Sequence, residues 1–199
     1  MASSGIFCLE GDWEDGLDSR LSVQPLLELL DALNTDKKPT RSFHSHVATW
    51  SELKYYIGRW TKAPSSKYNV AYFAFHGLPG GIALDRDDVT LTEIAEILGR
   101  GAEGRTIYFG SCGTLGQPEA DLRRFCKQTG VRGLVGYTET VGWSESAAFD
   151  LLLLPELIRG AALKPMVARL SLHHPRFVEG LGLRVATSAW VLPGDATPA

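Results

Sequence analysis

The chain has 199 residues, of which 44% are hydrophobic and 22% are charged, and this composition is typical of a globular domain with a sizeable core. A net charge of −3 with scattered Lys and Arg argues against nucleic acid or an anionic membrane surface as a partner. No apolar run approaches the ~20 residues of a membrane-spanning helix, no basic and apolar leader opens the chain, and the three cysteines are widely spaced. We therefore expect one domain over residues 1–199, in the cytoplasm, with a frayed tail over 193–199.

The first third of the chain alternates strand patterns with helical ones. Leucines at helical spacing follow Pro25, which suits the first turn of a helix, and Thr49 precedes a second apolar stripe. The predicted elements here are a strand over Gly5–Glu10, a Leu-rich helix that Ser22 caps, a turn over 34–39, a strand over Arg41–Val47 and a helix over Trp50–Trp60.

Two apolar runs in the middle of the chain each end near a reactive side chain. Val70–Phe75 is followed by His76, and Thr106–Phe109 is followed closely by Cys112. Short unbroken runs of β-branched and aromatic residues are typical of strands buried on both faces of a parallel sheet. The segment between the runs is long enough for the crossover helix that parallel neighbours need. Because the carboxyl ends of parallel strands lie at the same edge, we expect the imidazole and the thiol to share one crevice.

The rest of the chain continues the alternation. Thr90 and Glu93 form a capping box before one helix, and Gly130 ends another. The predicted elements are a flexible loop over 77–81, a short strand over Ile82–Leu84, a turn over Asp85–Asp88, a helix over Leu91–Leu98, a helix over Pro118–Gln128, a strand over Val131–Tyr137, a loop over Thr138–Trp143, a helix over Ala147–Arg159 that Ser144 caps, a helix over Lys164–Leu170 and a last strand over Leu183–Leu192. This order favours an α/β fold, a three-layer sandwich in which helices cover both faces of a mostly parallel sheet.

A cysteine beside a histidine has the chemistry of a nucleophile with its base. A free thiol is only a few per cent ionised at neutral pH, so Cys112 needs an activating group, which His76 can provide. The backbone N–H groups of Gly77 and Cys112 follow strand ends in Gly-flanked turns, where such groups can hold an oxyanion. These residues predict nucleophilic catalysis through an acyl intermediate.

The order of a strand with His76 and Gly77, then a strand with Gly110–Gly113, resembles the caspase-like cysteine peptidases, which include caspases, metacaspases, separases and bacterial CHAT-domain proteins. The CHAT branch is the most similar, because a later Val-Gly strand and its Trp-bearing loop also match, over roughly Tyr68–Gly160. The resemblance implies a caspase-like fold, with His76 as base, Cys112 as nucleophile and the amides of Gly77 and Cys112 as oxyanion donors. It also implies a regulated effector that cleaves a protein substrate and is held inactive until a partner protein or a signal arrives.

The residue that selects the substrate side chain is not fixed by this resemblance. Metacaspases carry an Asp two residues before the Cys, where it selects basic side chains, and this chain has Gly110 there. Acidic residues after the first strand and beside the Trp-bearing loop could instead pair with a Lys or Arg of the substrate. The candidate pocket residues are Asp12, Glu14, Glu139, Trp143 and Glu145. We therefore expect a preference for Lys or Arg before the cleaved bond.

Two other functions fit parts of the pattern. An α/β-hydrolase orders nucleophile, acid and His along the chain, and Cys112, Asp150 and His174 satisfy that order for an esterase. The second alternative is a catalytically inactive interaction module on the caspase-like fold. Retention of both His76 and Cys112 argues against that alternative.

The sequence indicates no metal or cofactor site. His44 and His46 lie two residues apart on a predicted strand and would share a face, but no Cys pair or nearby acid completes a ligand set. Cys8 and Cys126 lie in apolar segments and are predicted to belong to the core. We therefore expect no metal and no cofactor, and a protein or peptide as the substrate.

Overall fold

The computed structural model describes residues 4–14, 21–34, 41–64, 67–85 and 87–195. Its strands are β1 (Gly5–Glu10), β2 (Phe43–His46), β3 (Tyr68–Ala74), β4 (His76–Leu78), β5 (Gly81–Ala83), β6 (Asp88–Thr90), β7 (Thr106–Phe109), β8 (Gly133–Tyr137), β9 (Leu183–Ala186) and β10 (Val191–Leu192). Its helices are α1 (Gln24–Leu33), α2 (Trp50–Lys62), α3 (Leu91–Leu98), α4 (Glu119–Thr129), α5 (Trp143–Ile158), α6 (Leu163–His173) and α7 (Pro175–Gly180). None of these helices is long and apolar enough to cross a membrane.

Within the described ranges, the strands form a seven-stranded sheet and a small three-stranded sheet. The large sheet has the order β10-β9-β8-β7-β3-β1-β2. Strands β2, β1, β3, β7 and β8 are parallel neighbours, while β9 and β10 are antiparallel at one edge. The small sheet, β4-β5-β6, is antiparallel and follows β3 directly in the chain. The prediction of a mostly parallel central sheet is confirmed.

Both faces of the large sheet are covered by helices. Alternate residues of a strand point to opposite faces of the sheet. All residues of β1 are buried, so both faces of the sheet are covered at this strand. Phe7 and Phe73 pack in one cluster with residues of α2, α3 and α4. Cys8 and Tyr72 pack in the other cluster with residues of α1, α5 and α6. The predicted three-layer α/β sandwich is therefore confirmed.

Two helices begin at capping boxes, of which the sequence predicts the one at Thr90 and Glu93. The Thr49 hydroxyl accepts a hydrogen bond from the backbone N–H of Glu52, whose carboxylate in turn accepts from the Thr49 N–H, before α2. Thr90 and Glu93 make the same reciprocal pair before α3. At the end of α4, Gly130 adopts the left-handed conformation with φ 70°, which terminates the helix.

One predicted serine cap is wrong, and the other lies one residue before the cap position. The hydroxyl of Ser22 accepts a 3.1 Å hydrogen bond from the N–H of Gln24, the first residue of α1, and donates a 2.7 Å hydrogen bond to the carboxylate of Glu10, while the helix itself begins after Val23. Helix α5 begins after Gly142, whose carbonyl oxygen accepts the first helical hydrogen bond at 2.9 Å. Ser144 consequently lies inside the first turn of α5, and the helix starts earlier than predicted.

Two segments fold as hairpins where the sequence predicts simpler structure. The predicted flexible loop over 77–81 contains the turn between β4 and β5, at which Gly80 has φ 81°. The predicted last strand is divided into β9 and β10, because the hydroxyl of Thr187 accepts hydrogen bonds from the N–H groups of Ala189 and Trp190 and so closes a turn. Helix α7 was not predicted.

The start of the predicted tail is held by Arg184. The guanidinium of Arg184 donates to the carbonyl oxygen of Pro193 at 3.1 Å and pairs with Asp195 at 2.5 Å. The rest of that tail, over 196–199, most of the turn predicted over 34–39 and one residue of the turn predicted over 85–88 lie outside the described residues.

Candidate active site

The two reactive side chains follow neighbouring parallel strands. Strands β3 and β7 pair with Phe73 opposite Phe109. His76 comes three residues after Phe73, and Cys112 comes three residues after Phe109, so both leave the sheet at the same level. Both side chains line one cavity at this edge.

The segments that carry His76 and Cys112 are in backbone contact. A Cβ atom at Gly77 would lie 2.1 Å from the carbonyl oxygen and 2.6 Å from the amide nitrogen of Cys112. Because no side chain fits at such distances, glycine is required here by the close approach of two backbones. The spacing between the two reactive residues is therefore set largely by main-chain atoms.

Two buried hydroxyl groups also fix the segment after β7. The Ser111 hydroxyl donates to the carbonyl oxygen of Phe73 at 3.3 Å, at the end of β3. The Thr114 hydroxyl donates to the carbonyl oxygen of Gly81 at 2.9 Å, in β5. These hydrogen bonds hold the loop on both sides of Cys112 against the β3–β5 segment.

The ring of His76 is oriented by the loop after β1. Its Nε2 atom lies 3.0 Å from the carbonyl oxygen of Trp13, and the two rings meet edge to face with centroids 5.4 Å apart. A carbonyl oxygen only accepts hydrogen bonds, so Nε2 carries the proton in this contact. The neutral ring then has its lone pair on Nδ1, which can accept a proton from a thiol.

Glu10 anchors the loop that orients His76. Its carboxylate accepts hydrogen bonds from the indole N–H of Trp13 at 2.5 Å and from the backbone N–H of Val23 at 2.7 Å. Nε2 of His44 lies 2.6 Å from the same carboxylate. Burial alone raises the pKa of Glu10, but these hydrogen bonds, the strongest from His44, together lower it below its ordinary value. Glu10 is therefore ionised at neutral pH and holds the loop in place.

Cys112 is the accessible thiol of this chain. It is half-buried, whereas Cys8 and Cys126 are buried. Burial raises the pKa of both buried thiols, that of Cys126 to about 12, so they remain protonated and unreactive. The backbone N–H of Val141 donates to the Sγ atom of Cys112 at 3.4 Å, and the same sulfur lies 3.7 Å from the Val141 carbonyl oxygen, so the main chain of Val141 positions the thiol.

A cavity of about 190 Å³ opens beside the thiol. The exposed His76, the half-buried Cys112 and Trp143 lie at its open end. Asp150 and Tyr72 also line it, and since each is only 2% exposed, they form its buried end. The walls between are largely apolar and include Trp13, Val23, Leu26 and Val141. A hollow that is closed at one end and open at a thiol suits one side chain of a bound peptide.

Asp150 is a buried carboxyl group that no basic side chain neutralises. It projects from α5 and accepts hydrogen bonds from the hydroxyl groups of Tyr72 at 2.7 Å and Tyr108 at 2.5 Å. The Tyr108 hydroxyl is also 2.6 Å from that of Tyr137. Burial raises the pKa of Asp150 to about 7, against the lowering effect of the tyrosine hydroxyls. Among the described residues, no Lys, Arg or His side chain forms an ion pair with it.

The triad order of an α/β-hydrolase is not assembled in this structure. The hydrogen bonds to Asp150 come from tyrosines, and His174 lies between α6 and α7, outside the lining of the cavity. The histidine that shares the cavity with Cys112 is His76. The sequence predicts Asp150 only as a triad acid. The signal that could have identified it as more than that is its position as the single charged residue in the apolar run 147–154.

Of the predicted pocket residues, Trp143 lines the cavity. Asp12 and Glu14 line a neighbouring hollow, which His76 also borders. The carboxylate of Asp12 lies 2.9 Å from Nε2 of His46, and both side chains are largely exposed. In the part of the chain that the structure describes, no group of three or more His, Cys, Asp and Glu side chains is arranged to hold a metal ion.

The other two predicted acids lie outside both hollows. Glu139 is exposed, and its backbone carbonyl oxygen accepts a 3.0 Å hydrogen bond from the N–H of Gly113. Glu145 is exposed in the first turn of α5. The place where metacaspases carry an Asp is blocked, because a Cβ atom at Gly110 would lie 2.5 Å from the ring of Tyr72. A carboxyl group thus reaches the cavity from α5 rather than from the loop after β7.

A profile of the DUF6642 family, described as a family of unknown function, matches residues 3–185. The chain belongs to the DUF6642 family. A search among curated proteins finds no match to this DUF6642 chain.

Among solved structures, the DUF6642 chain is similar to a secreted C11 cysteine protease from Bacteroides thetaiotaomicron in complex with an irreversible peptide inhibitor. The TM-score is 0.58 at 12% sequence identity, and the match covers 95% of this chain and 67% of the protease chain. Similarity at this level of identity shows the fold, which is the α/β sandwich of caspase-like cysteine proteases.

Proposed function

We propose that this chain is a cysteine endopeptidase in which His76 and Cys112 form the catalytic dyad. The observation that carries the proposal is that an imidazole and the accessible thiol line one cavity at the ends of β3 and β7. The contact between Nε2 of His76 and Trp13 supports it, because it leaves Nδ1 free to act as a base. The likeness in fold to a cysteine protease that was captured with a peptide inhibitor is further support.

The first half of the reaction forms an acyl-enzyme. Nδ1 of His76 takes the proton of the Cys112 thiol, and Sγ attacks the carbonyl carbon of the scissile bond. The carbonyl oxygen becomes an oxyanion, for which the backbone N–H groups of Cys112 and Gly77 are the proposed donors. When the C–N bond breaks, the imidazolium gives its proton to the departing amine, and a thioester remains on Cys112.

The second half regenerates the enzyme. His76 takes a proton from water, and the hydroxide adds to the thioester carbonyl. The C–S bond breaks, the carboxylic acid product leaves, and the proton on the imidazolium returns to the sulfur. Glu10 and Trp13 hold the ring in one orientation through both halves.

The test is cleavage of fluorogenic peptides, together with labelling by peptides that carry a thiol-reactive electrophile. Cys112→Ala should abolish both signals and retain the fold, because the residue is only half-buried. His76→Ala should slow both by orders of magnitude. The matched control is His174→Ala, which alters an imidazole outside the cavity and should leave both rates unchanged.

Different results would distinguish the alternatives. Cleavage by the Cys112→Ala variant would refute the proposed nucleophile. Loss of activity in His174→Ala but not in His76→Ala would favour the hydrolase order with Asp150. Labelling of Cys112 no faster than a free thiol, and insensitive to His76→Ala, would identify an inactive interaction module.

The natural substrate is proposed to be a protein, since the cavity beside the thiol has room for one side chain of a bound peptide. Regulation by a partner protein, a particular nearness to the CHAT-domain branch and a cytoplasmic setting remain predictions from the sequence.

A further inference from the structure

We propose that Asp150 is the specificity-determining residue of this site, and that the cavity receives the cationic side chain of an Arg or Lys from the substrate residue before the cleaved bond. Its place in a reaction rests on the proposed peptidase function. The cation site itself is a property of the cavity, and it can be measured without catalysis.

A buried carboxyl group with no basic partner is costly, because removal from water disfavours its charge. Asp150 is 2% exposed, and its hydrogen-bond donors are the neutral hydroxyl groups of Tyr72 on β3 and Tyr108 on β7. Structural acids of this kind are ordinarily paired with Arg or Lys inside the protein. Asp150 instead borders a cavity that Cys112 also lines, and this cavity lies where an Arg or Lys partner would otherwise be. A cation from the substrate would supply the missing charge.

The tyrosine hydroxyl groups orient the carboxyl group rather than neutralise it. Tyr72 donates to Oδ2 and Tyr108 donates to Oδ1, so each oxygen has one fixed donor and retains further lone pairs. Tyr72 also lines the cavity, which places this hydrogen-bonded carboxyl group at the wall that an incoming side chain would reach. The arrangement is preorganised before a ligand arrives.

The walls of the cavity suit a long side chain with a charged end. Trp13 and Trp143 line it together with the carboxyl group, and indole faces attract cations as well as apolar stems. Val23 and Leu26 add apolar surface, which suits the methylene groups of such a side chain. The volume of about 190 Å³ is sufficient for a single long side chain. A neutral side chain of the same shape would leave the carboxylate unpaired.

The first test measures binding of a small cation to a protein that cannot turn over. Benzamidine and its neutral isostere benzamide are titrated calorimetrically at pH 8 into the Cys112→Ala variant. Benzamidine should bind at least about tenfold more tightly than benzamide. Adding Asp150→Asn should remove that difference. Adding Glu145→Gln, which alters an exposed acid on the same helix, should preserve it.

The second test uses the wild-type enzyme and peptides that differ only before the cleaved bond. The four residues at that place are Arg, Lys, citrulline, which is a neutral isostere of Arg, and norleucine, which is an uncharged analogue of Lys. The kcat/KM for Arg should exceed that for citrulline by at least about tenfold. In Asp150→Asn this ratio should fall to near one, because the kcat/KM for Arg loses its advantage over that for citrulline.

The two tests separate the two proposals. Equal binding of benzamidine and benzamide, or unchanged benzamidine affinity in Asp150→Asn, would overturn the cation site. Cleavage without a preference for Arg or Lys would overturn it as well and leave the His76 and Cys112 dyad intact. Selective benzamidine binding that depends on Asp150, in a protein that cleaves no peptide, would support the cation site and refute the peptidase.

Discussion

Replacing Asp150 with Asn should stabilise the protein at pH 8 and have little effect on its stability near pH 4. In the folded chain, burial raises the pKa of this carboxyl group from its ordinary value of 3.8 to about 7. Below pH 4 the group is protonated in both the folded and the unfolded chain. As the pH rises from about 4 to about 7, the unfolded chain loses its proton first, so the free energy of unfolding falls. Above pH 7 the carboxyl group is ionised in both states, and the free energy of unfolding falls no further on its account.

The size of the effect follows from the same two values. A rise from 3.8 to about 7, at about 1.36 kcal/mol per pKa unit, corresponds to at most roughly 4 kcal/mol. Asn has nearly the shape of Asp, and its amide can still bond to Tyr72 and Tyr108, but it carries no charge to bury. The Asn variant therefore lacks this pH-dependent loss.

Urea unfolding followed by circular dichroism between pH 4 and pH 8 measures the difference. The stability advantage of Asp150→Asn should be near zero at pH 4, grow through pH 7 and then level off. Glu139→Gln, at an exposed acid, should show no such trend. A constant difference between the two proteins at every pH, or a less stable Asn variant at pH 8, would refute the idea that burial dominates at Asp150. We expect Asp150→Asn to gain stability and to lose cation selectivity, which is the usual trade-off between stability and function at a buried charge.

Three further predictions concern the frame around the dyad. Gly77→Ala would force a methyl group to 2.1 Å from the carbonyl oxygen of Cys112, so we expect a loss of about 1–3 kcal/mol in unfolding free energy and of most peptidase activity. The control is Gly58→Ala in α2, where nothing lies within 4 Å of the added atom, and its unfolding free energy should rise by about 0.5–1 kcal/mol. Equal effects of the two substitutions would contradict the backbone contact at Gly77. Glu10→Gln should lower kcat/KM by about 10- to 100-fold with unchanged KM, because the loop that orients His76 becomes less tightly held. The control is Asp12→Asn, which alters the exposed pair of Asp12 and His46 and should have little effect. In the native protein a thiol reagent should modify Cys112 alone, as peptide mapping by mass spectrometry would show, and modification of a buried cysteine at the same rate would mean that the core opens readily.

The sequence predicts that His76 and Cys112 share one edge of the sheet because the relevant signal is local. Val70–Phe75 and Thr106–Phe109 are apolar on both faces, and only buried parallel strands need that pattern. Once the strands are neighbours, His76 and Cys112 must lie at the same edge, whatever the details of the loops. The capping box at Thr90 is predictable for the same reason, since donor and acceptor are three residues apart.

The features that the sequence does not reveal depend on residues far apart in the chain. Asp150 receives its hydrogen bonds from Tyr72 and Tyr108, which lie on two other elements, and no spacing rule connects them. Ser22 accepts from the N–H of Gln24 at the start of α1, as its local sequence predicts, but its hydrogen bond to the carboxylate of Glu10 on β1 depends on the fold. In both cases a tertiary contact adds a role that the local sequence does not reveal.

Because Gly77 rests directly on the peptide unit of Cys112, main-chain atoms set the spacing of His76 and Cys112. The side chains of Val23, Leu26 and Trp143 line the same cavity but come from other segments of the chain. In the proposed peptidase, selection or engineering could therefore change the substrate preference through these side chains and leave the two reactive residues in place.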